Sequence, residues 1–308
     1  VKFLYSIKLI IMKKLCFFLI LVLGLGNKII AQMPNDHVYM AKKDICAALM
    51  YSNTSWNQYW ENTLFRDNLN LGTVTTQSYM LMAAYGLKDN TNIIASIPYV
   101  KTNANAGNLL GQNGFQDAGV WLKQRVKITR GLNSHFVAGM TFPVSNYVSE
   151  FMPLSIGYRT TDVQVRGMLT YQIPNTKFYT NALVGYHLRG ASKLDRDSYL
   201  NGSQMINTST ADVPDALEAS FKVGYLKWDN QIELYVDHFA CVSGDNMRRN
   251  DMPFPTNKTM MTSLGLYGKY QPKSFGVNAR IQRVLIGTNT AQMTTYSIGL
   301  LYQFSLIK

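Results

Sequence analysis

Leu217-Glu218-Ala219-Ser220-Phe221-Lys222-Val223-Gly224-Tyr225 alternates apolar and polar positions without a break. On a helix Glu218, Ser220, Lys222 and Gly224 would spread around the circumference. On a strand they share one face, and Leu217, Ala219, Phe221, Val223 and Tyr225 share the other. The pattern recurs at 275–282, where Phe275, Val277, Ala279 and Ile281 oppose Gly276, Asn278, Arg280 and Gln282. It returns at the C-terminal end with Tyr296, Ile298, Leu300, Tyr302 and Phe304.

Working outward from these stretches, the chain divides into about twelve such segments: 46–60, 70–86, 91–102, 116–129, 134–146, 161–173, 177–190, 215–228, 231–243, 259–270, 274–287 and 294–306. The connections sort into two kinds. Leu87-Lys88-Asp89-Asn90, Arg130-Gly131-Leu132-Asn133, Pro174-Asn175-Thr176, Asp229-Asn230 and Gln271-Pro272-Lys273 read as tight hairpins. The links 61–69, 103–115, 147–160, 191–214 and 244–258 are longer and polar. Alternating short turns and long loops is the pattern of a transmembrane up-and-down β-barrel, whose turns are periplasmic and whose loops are external. A soluble sandwich has no reason to sort its connections this way.

Composition agrees. Charged residues make up 16% of the 308 residues, Tyr numbers 19 and Gly 22, and mean hydropathy is near zero. That is too polar for a bundle of membrane helices and too poor in charge for an average soluble surface. A barrel with one face in lipid and one in a polar lumen produces the mixture. The expected fold class is therefore all-β, a transmembrane antiparallel up-and-down barrel of about twelve strands with both termini periplasmic.

Residues 1–31 read as an export signal. Met12-Lys13-Lys14 is a short cationic start preceded by an upstream extension, Leu15 to Leu25 is an apolar run broken only by Gly24, and Ile29-Ile30-Ala31 precedes the expected cleavage. A transmembrane anchor is the alternative reading of this stretch. Removing residues 1–31 takes out five lysines and no acid, so net charge falls from +12 to +7. No clustered basic patch remains, which argues against a nucleic-acid partner. Residues 32–45 read as a short periplasmic lead-in, and 46–308 as the barrel.

Of three cysteines, Cys16 lies in the signal. Cys46 and Cys241 either pair or stay as two thiols. No CxxC, HExxH or Cys/His cluster suggests a metal, and no cofactor is expected.

Aromatic residues bunch at the short-turn ends of the segments: Tyr85, Phe136, Tyr171, Phe178, Tyr225, Trp228, Tyr270, Phe275 and Phe304. They read as a periplasmic aromatic girdle. The polar parity assigns Lys123, Arg125, Arg166, Glu218, Lys222, Glu233, Asp237 and Arg280 to the lumen. These charges either line a polar path or fill the lumen as paired groups, since buried charges need partners. No catalytic arrangement emerges: His37, His135, His187 and His238 stand in no His-x-Ser pattern, and Asp195 and Asp197 lie in a long loop. The protein is therefore read as a non-enzyme. Its expected partners are outer-membrane lipid and lipopolysaccharide together with a small-molecule solute; a protein partner is left open.

Residues 91–143 carry a family resemblance. Ile97-Pro98-Tyr99-Val100 ends one strand. Gly114-Phe115-Gln116-Asp117-Ala118-Gly119-Val120-Trp121-Leu122-Lys123 follows a polar loop, and Ala138-Gly139-Met140-Thr141-Phe142-Pro143 ends the next strand in Pro. This resembles the transporter-like barrel family linked by name to the meta-pathway of phenol degradation, although Gln116 interrupts that family's Gly-Asp pairing. The resemblance implies passage of small compounds, hydrophobic ones included, across the outer membrane. The accessory barrels of gliding and type IX secretion in Bacteroidetes-like bacteria are the alternative, a non-conducting docking barrel. Their Tyr/Asn/Pro-rich N-terminal signature is missing here.

Overall fold

The computed structural model describes residues 33–201, 204–249 and 251–306. The expected signal peptide and Cys16 lie outside the described residues. Twelve long strands dominate the rest: β1 Asp44–Trp56, β2 Val74–Lys88, β3 Thr91–Ala104, β4 Asp117–Thr129, β5 Leu132–Pro143, β6 Asp162–Gln172, β7 Phe178–Arg189, β8 Ala216–Lys227, β9 Asn230–Cys241, β10 Met260–Tyr270, β11 Phe275–Thr288 and β12 Thr294–Ser305. Each pairs antiparallel with its sequence neighbours, and β1 closes onto β12 through Leu49 opposite Leu300. Closure leaves no open sheet edge to satisfy within lipid.

The period-two pattern becomes two surfaces. In β8, Leu217, Ala219, Phe221 and Val223 are exposed on the outer wall, while Lys222 and Gly224 are buried inside. Leu49, Leu81, Leu122, Val165, Val184, Leu234, Leu266, Ile281 and Ile298 continue the outer face around the barrel. Such a belt is untenable in water and is the natural surface of a barrel in a bilayer.

Inside, large side chains interleave with glycines. An added Cβ at Gly224 would stand 2.4 Å from the Tyr179 ring, and one at Gly265 would stand 2.2 Å from Tyr235. Glycine lets the tyrosines of neighbouring strands lie flat against the wall.

The first two segments differ most from expectation. β1 ends at Trp56, because the alternation read through to residue 60 belongs in part to a separate hairpin, Gln58–Glu61 with Leu64–Asp67. β2 starts only at Val74, after Gly72 has turned the chain with a φ of 64°. The turn expected at Asp229-Asn230 lies one residue earlier: Lys227 pairs with Asn230, and Trp228 and Asp229 both take positive φ, the signature of a type I′ hairpin.

Asp44 pairs with Ser305, and the Leu306 amide donates to the Lys43 carbonyl at 3.1 Å. The barrel thus begins and ends at its short-turn rim, the periplasmic side in such folds.

Candidate functional site

Residues 33–41 do not hang below the barrel as a separate lead-in. Val38, Tyr39 and Met40 are buried, and Lys42 and Lys43 are tied to the turn-end rim by bonds to Asp89 and Gly86. From that rim the segment runs back up into the lumen. Its polarity, read from the sequence as that of a periplasmic lead-in, suits a polar interior equally well; sequence parity says nothing about a segment that is not a strand.

The lumen charges meet this segment. Lys123 is fully buried, and its Nζ donates to Asp36 Oδ1 at 2.7 Å, to the Met33 carbonyl at 3.0 Å and to the Val38 carbonyl at 3.1 Å. One carboxylate and two carbonyls meet the needs of a desolvated ammonium. Lys222 donates to the Asn35 carbonyl at 2.8 Å. Arg280 sits between the rings of Tyr235 and Tyr267, 5.3 and 5.4 Å from their centroids, and approaches Met33 Sδ at 3.6 Å. Arg125 lies over the Tyr39 ring and donates to the Asp89 carbonyl near the rim. His37 packs on Tyr179 and Tyr39 stacks on His135.

The remaining assigned residues are paired across the wall. Tyr179 donates to Glu233 at 2.5 Å, and Gln231 donates to both. Ser220 donates to Asp237 at 2.6 Å. Toward the loop end Arg166 pairs with Glu218, whose other oxygen stands 3.5 Å from His187 Nε2; His187 Nδ1 in turn meets Asp162 at 2.8 Å. A small chamber of about 170 Å³ lies between the Glu218 and Asp237 side chains, with Asn35 among its lining.

The loop side is narrowed by residues 144–161. Leu154 is buried against Leu71 and Val74, and Thr102 donates to its carbonyl at 2.6 Å. Tyr147 donates to Asp117 at 2.6 Å and accepts the Arg159 amide at 2.7 Å. Burial, reinforced by the Asp117 carboxylate, holds its phenol well above the usual range. Between this loop, residues 242–259 and the Gln58–Glu61 hairpin is a cavity of about 240 Å³. Trp56, Tyr59, Leu71, Met152, Pro153, Tyr158, Met247, Met252, Phe254 and Met293 form the apolar part of its lining, and Asn68, Asn70, Asp251, Asn257 and Asn289 are among the polar part. A second cavity of about 320 Å³ shares the Met252-Pro253-Phe254 wall and carries Arg196, Tyr199, Asp245 and Arg248. Sequence reading missed this aromatic and methionine cluster, because its members come from the end of β1 and four separate connections.

At the turn end, Phe136, Tyr171, Phe178, Tyr270, Phe275 and Phe304 are exposed on the outer wall, Trp228 is exposed in the turn between β8 and β9, and Tyr85 and Tyr225 are half-buried. Phe178 packs edge-on to Tyr225 at 5.1 Å, and Phe275 lies 4.8 Å from Tyr302. Cys46 and Cys241 are not joined in a disulfide. One sits at the turn end of β1 and the other at the loop end of β9.

The fold has solved counterparts. The COG4313 outer membrane channel from Pseudomonas putida F1 overlays 89% of this chain and 100% of its own at a TM-score of 0.71, with 12% identity. This protein is an outer-membrane β-barrel. The barrel overlays more loosely on the translocator domain of the autotransporter NalP from Neisseria meningitidis, with 11% identity over 87% of this chain and 90% of that one and a TM-score of 0.47. No family model and no curated protein sequence matches the chain.

Proposed function

We propose that the barrel is a narrow outer-membrane uptake channel for small, largely apolar solutes, received in the loop-side cavity and held from free passage by residues 33–41. The cavity carries this reading. Aromatic and thioether side chains offer soft, adaptable apolar contact, the lining expected for small hydrophobic ligands. A porin for hydrophilic solutes has no use for such a lining at its mouth. The resemblance of residues 91–143 to a transporter-like family linked by name to phenol degradation supports the same solute class.

Saturable binding of a small fluorescent aromatic probe, 1-N-phenylnaphthylamine, to purified barrel in detergent tests the reading. The wild-type barrel is expected to show one saturable site that quenches Trp56. Met247→Asp, which puts a carboxylate into the cavity wall, is expected to weaken it about tenfold or more. Probe uptake that is only linear, or unchanged by Met247→Asp, contradicts the proposal.

A further inference from the structure

The outer wall carries an ordered pair of rows at the loop end of β1, β2 and β3. Register places Tyr51 opposite Tyr79, Tyr79 opposite Tyr99, and Tyr99 opposite Phe115 of the short Asn113–Phe115 strand. These four aromatics share the lipid-facing parity. Tyr51 and Tyr79 have ring centroids 5.1 Å apart, and Tyr99 meets Phe115 edge-on at 5.4 Å. Leu49, Leu81 and Ile97 follow one step deeper on the same face. One step toward the loops the row becomes polar: Asn53 opposite Gln77, Gln77 opposite Lys101, Lys101 opposite Asn113. The two rows are stitched together, since Gln77 Nε2 donates to Tyr51 Oη at 3.3 Å and Tyr99 Oη donates to Asn113 Oδ1 at 2.9 Å.

Aromatic over apolar marks the membrane boundary, so the Lys101 row stands at headgroup height in the outer leaflet. Lys101 is exposed on this face, and among the described residues it makes no ion pair. Gln77, Thr75 and Asn103 surround it in an outward-facing cleft of about 350 Å³. The polar row Asn53, Gln77, Lys101 and Asn113, with Thr75 and Asn103 beside it, includes no carboxylate. A cation flanked by amide and hydroxyl donors, above a shelf of rings and an acyl-compatible wall, is complementary to an anionic amphiphile.

We propose that this face docks the phosphorylated head of an outer-leaflet glycolipid of the lipid A type. Lys101 meets the phosphate, Gln77 and Asn103 supply further donors, and the acyl chains lie over Tyr79, Tyr99, Leu81 and Ile97. The site is on the outside of the wall, independent of the solute path.

Native mass spectrometry of the whole barrel in detergent, titrated with lipid A, tests it. The wild type is expected to hold phosphorylated lipid A more tightly than lipid A stripped of its phosphates. Lys101→Gln is expected to weaken the phosphorylated lipid roughly fivefold and Lys101→Arg to stay within about twofold, as befits one interfacial cation. Lys193→Gln, which removes an exposed loop cation, is expected to leave binding unchanged, and heat-dependent gel mobility verifies that each variant is folded. The proposal fails if Lys101→Gln binds the phosphorylated lipid like the wild type. It also fails if Lys193→Gln weakens it equally, or if inorganic phosphate occupies the site as readily as the lipid.

Discussion

Lys123 on β4 and Asp36 on the segment preceding β1 meet at 2.7 Å in the middle of the barrel, with the lysine wholly withdrawn from solvent. The pair joins the wall to the chain that fills the lumen. It explains how a fully buried ammonium is tolerated where the neighbouring lumen positions include further cations, Lys222 among them.

Removing one partner is expected to cost more than removing both. Asp36→Asn leaves Lys123 buried against carbonyls alone and is expected to destabilise the barrel by about 3 kcal/mol. Lys123→Met combined with Asp36→Asn is expected to recover part of that loss. Guanidinium unfolding in detergent of the four proteins of the cycle measures it; strictly additive losses would show that the two residues do not act as a pair.

The glycines of the wall separate into two groups. Gly224 supports Tyr179, so Gly224→Val drives a branched side chain into the ring and is expected to cost about 1–3 kcal/mol. At Gly167 on β6 an added Cβ meets nothing within 4 Å. Gly167→Ala is therefore expected to be neutral or stabilising by about 0.5 kcal/mol. Thermal unfolding distinguishes the two, and equal losses would contradict the packing described.

Cys46 and Cys241 stand at opposite ends of the barrel, far beyond the short Cα separation a disulfide requires. Thiol titration of protein unfolded without reductant is expected to find both reactive. Identical gel mobility with and without reductant is the companion observation, and a mass deficit on oxidation-free isolation would overturn it.

Tyr147 holds residues 144–161 down through one hydroxyl that donates to Asp117 and accepts from Arg159. Tyr147→Phe removes both bonds at once and leaves the Asp117 carboxylate short of a donor. The expected result is faster trypsin cleavage after Arg159 with the barrel itself intact, read by limited proteolysis. Unchanged cleavage would mean that Leu154 and its contacts hold the loop alone.

Much of this architecture is legible in the sequence because a barrel strand writes both its faces into one string. Leu217 to Tyr225 states which side is lipid and which is lumen, and the short turns state where the chain reverses. The exceptions share a physical cause. Residues 33–41 follow no strand period, so their polarity fits a tail or a lumen filling alike; only three-dimensional contact with Lys123, Lys222 and Arg280 separates the two. The Trp56, Met152, Met247 and Phe254 cavity is assembled from the end of β1 and separate connections and leaves no local motif. The Tyr51–Tyr79–Tyr99–Phe115 row needs cross-strand register, which the sequence leaves free until neighbouring strands are aligned.

Single-channel conductance in planar bilayers tests the central claim, a barrel whose lumen is filled by its own N-terminal segment. The wild-type barrel is expected to pass only small currents, and a variant with residues 33–40 removed is expected to show a stable conductance several-fold larger. A wild-type conductance already as large as that of the shortened variant would contradict the account.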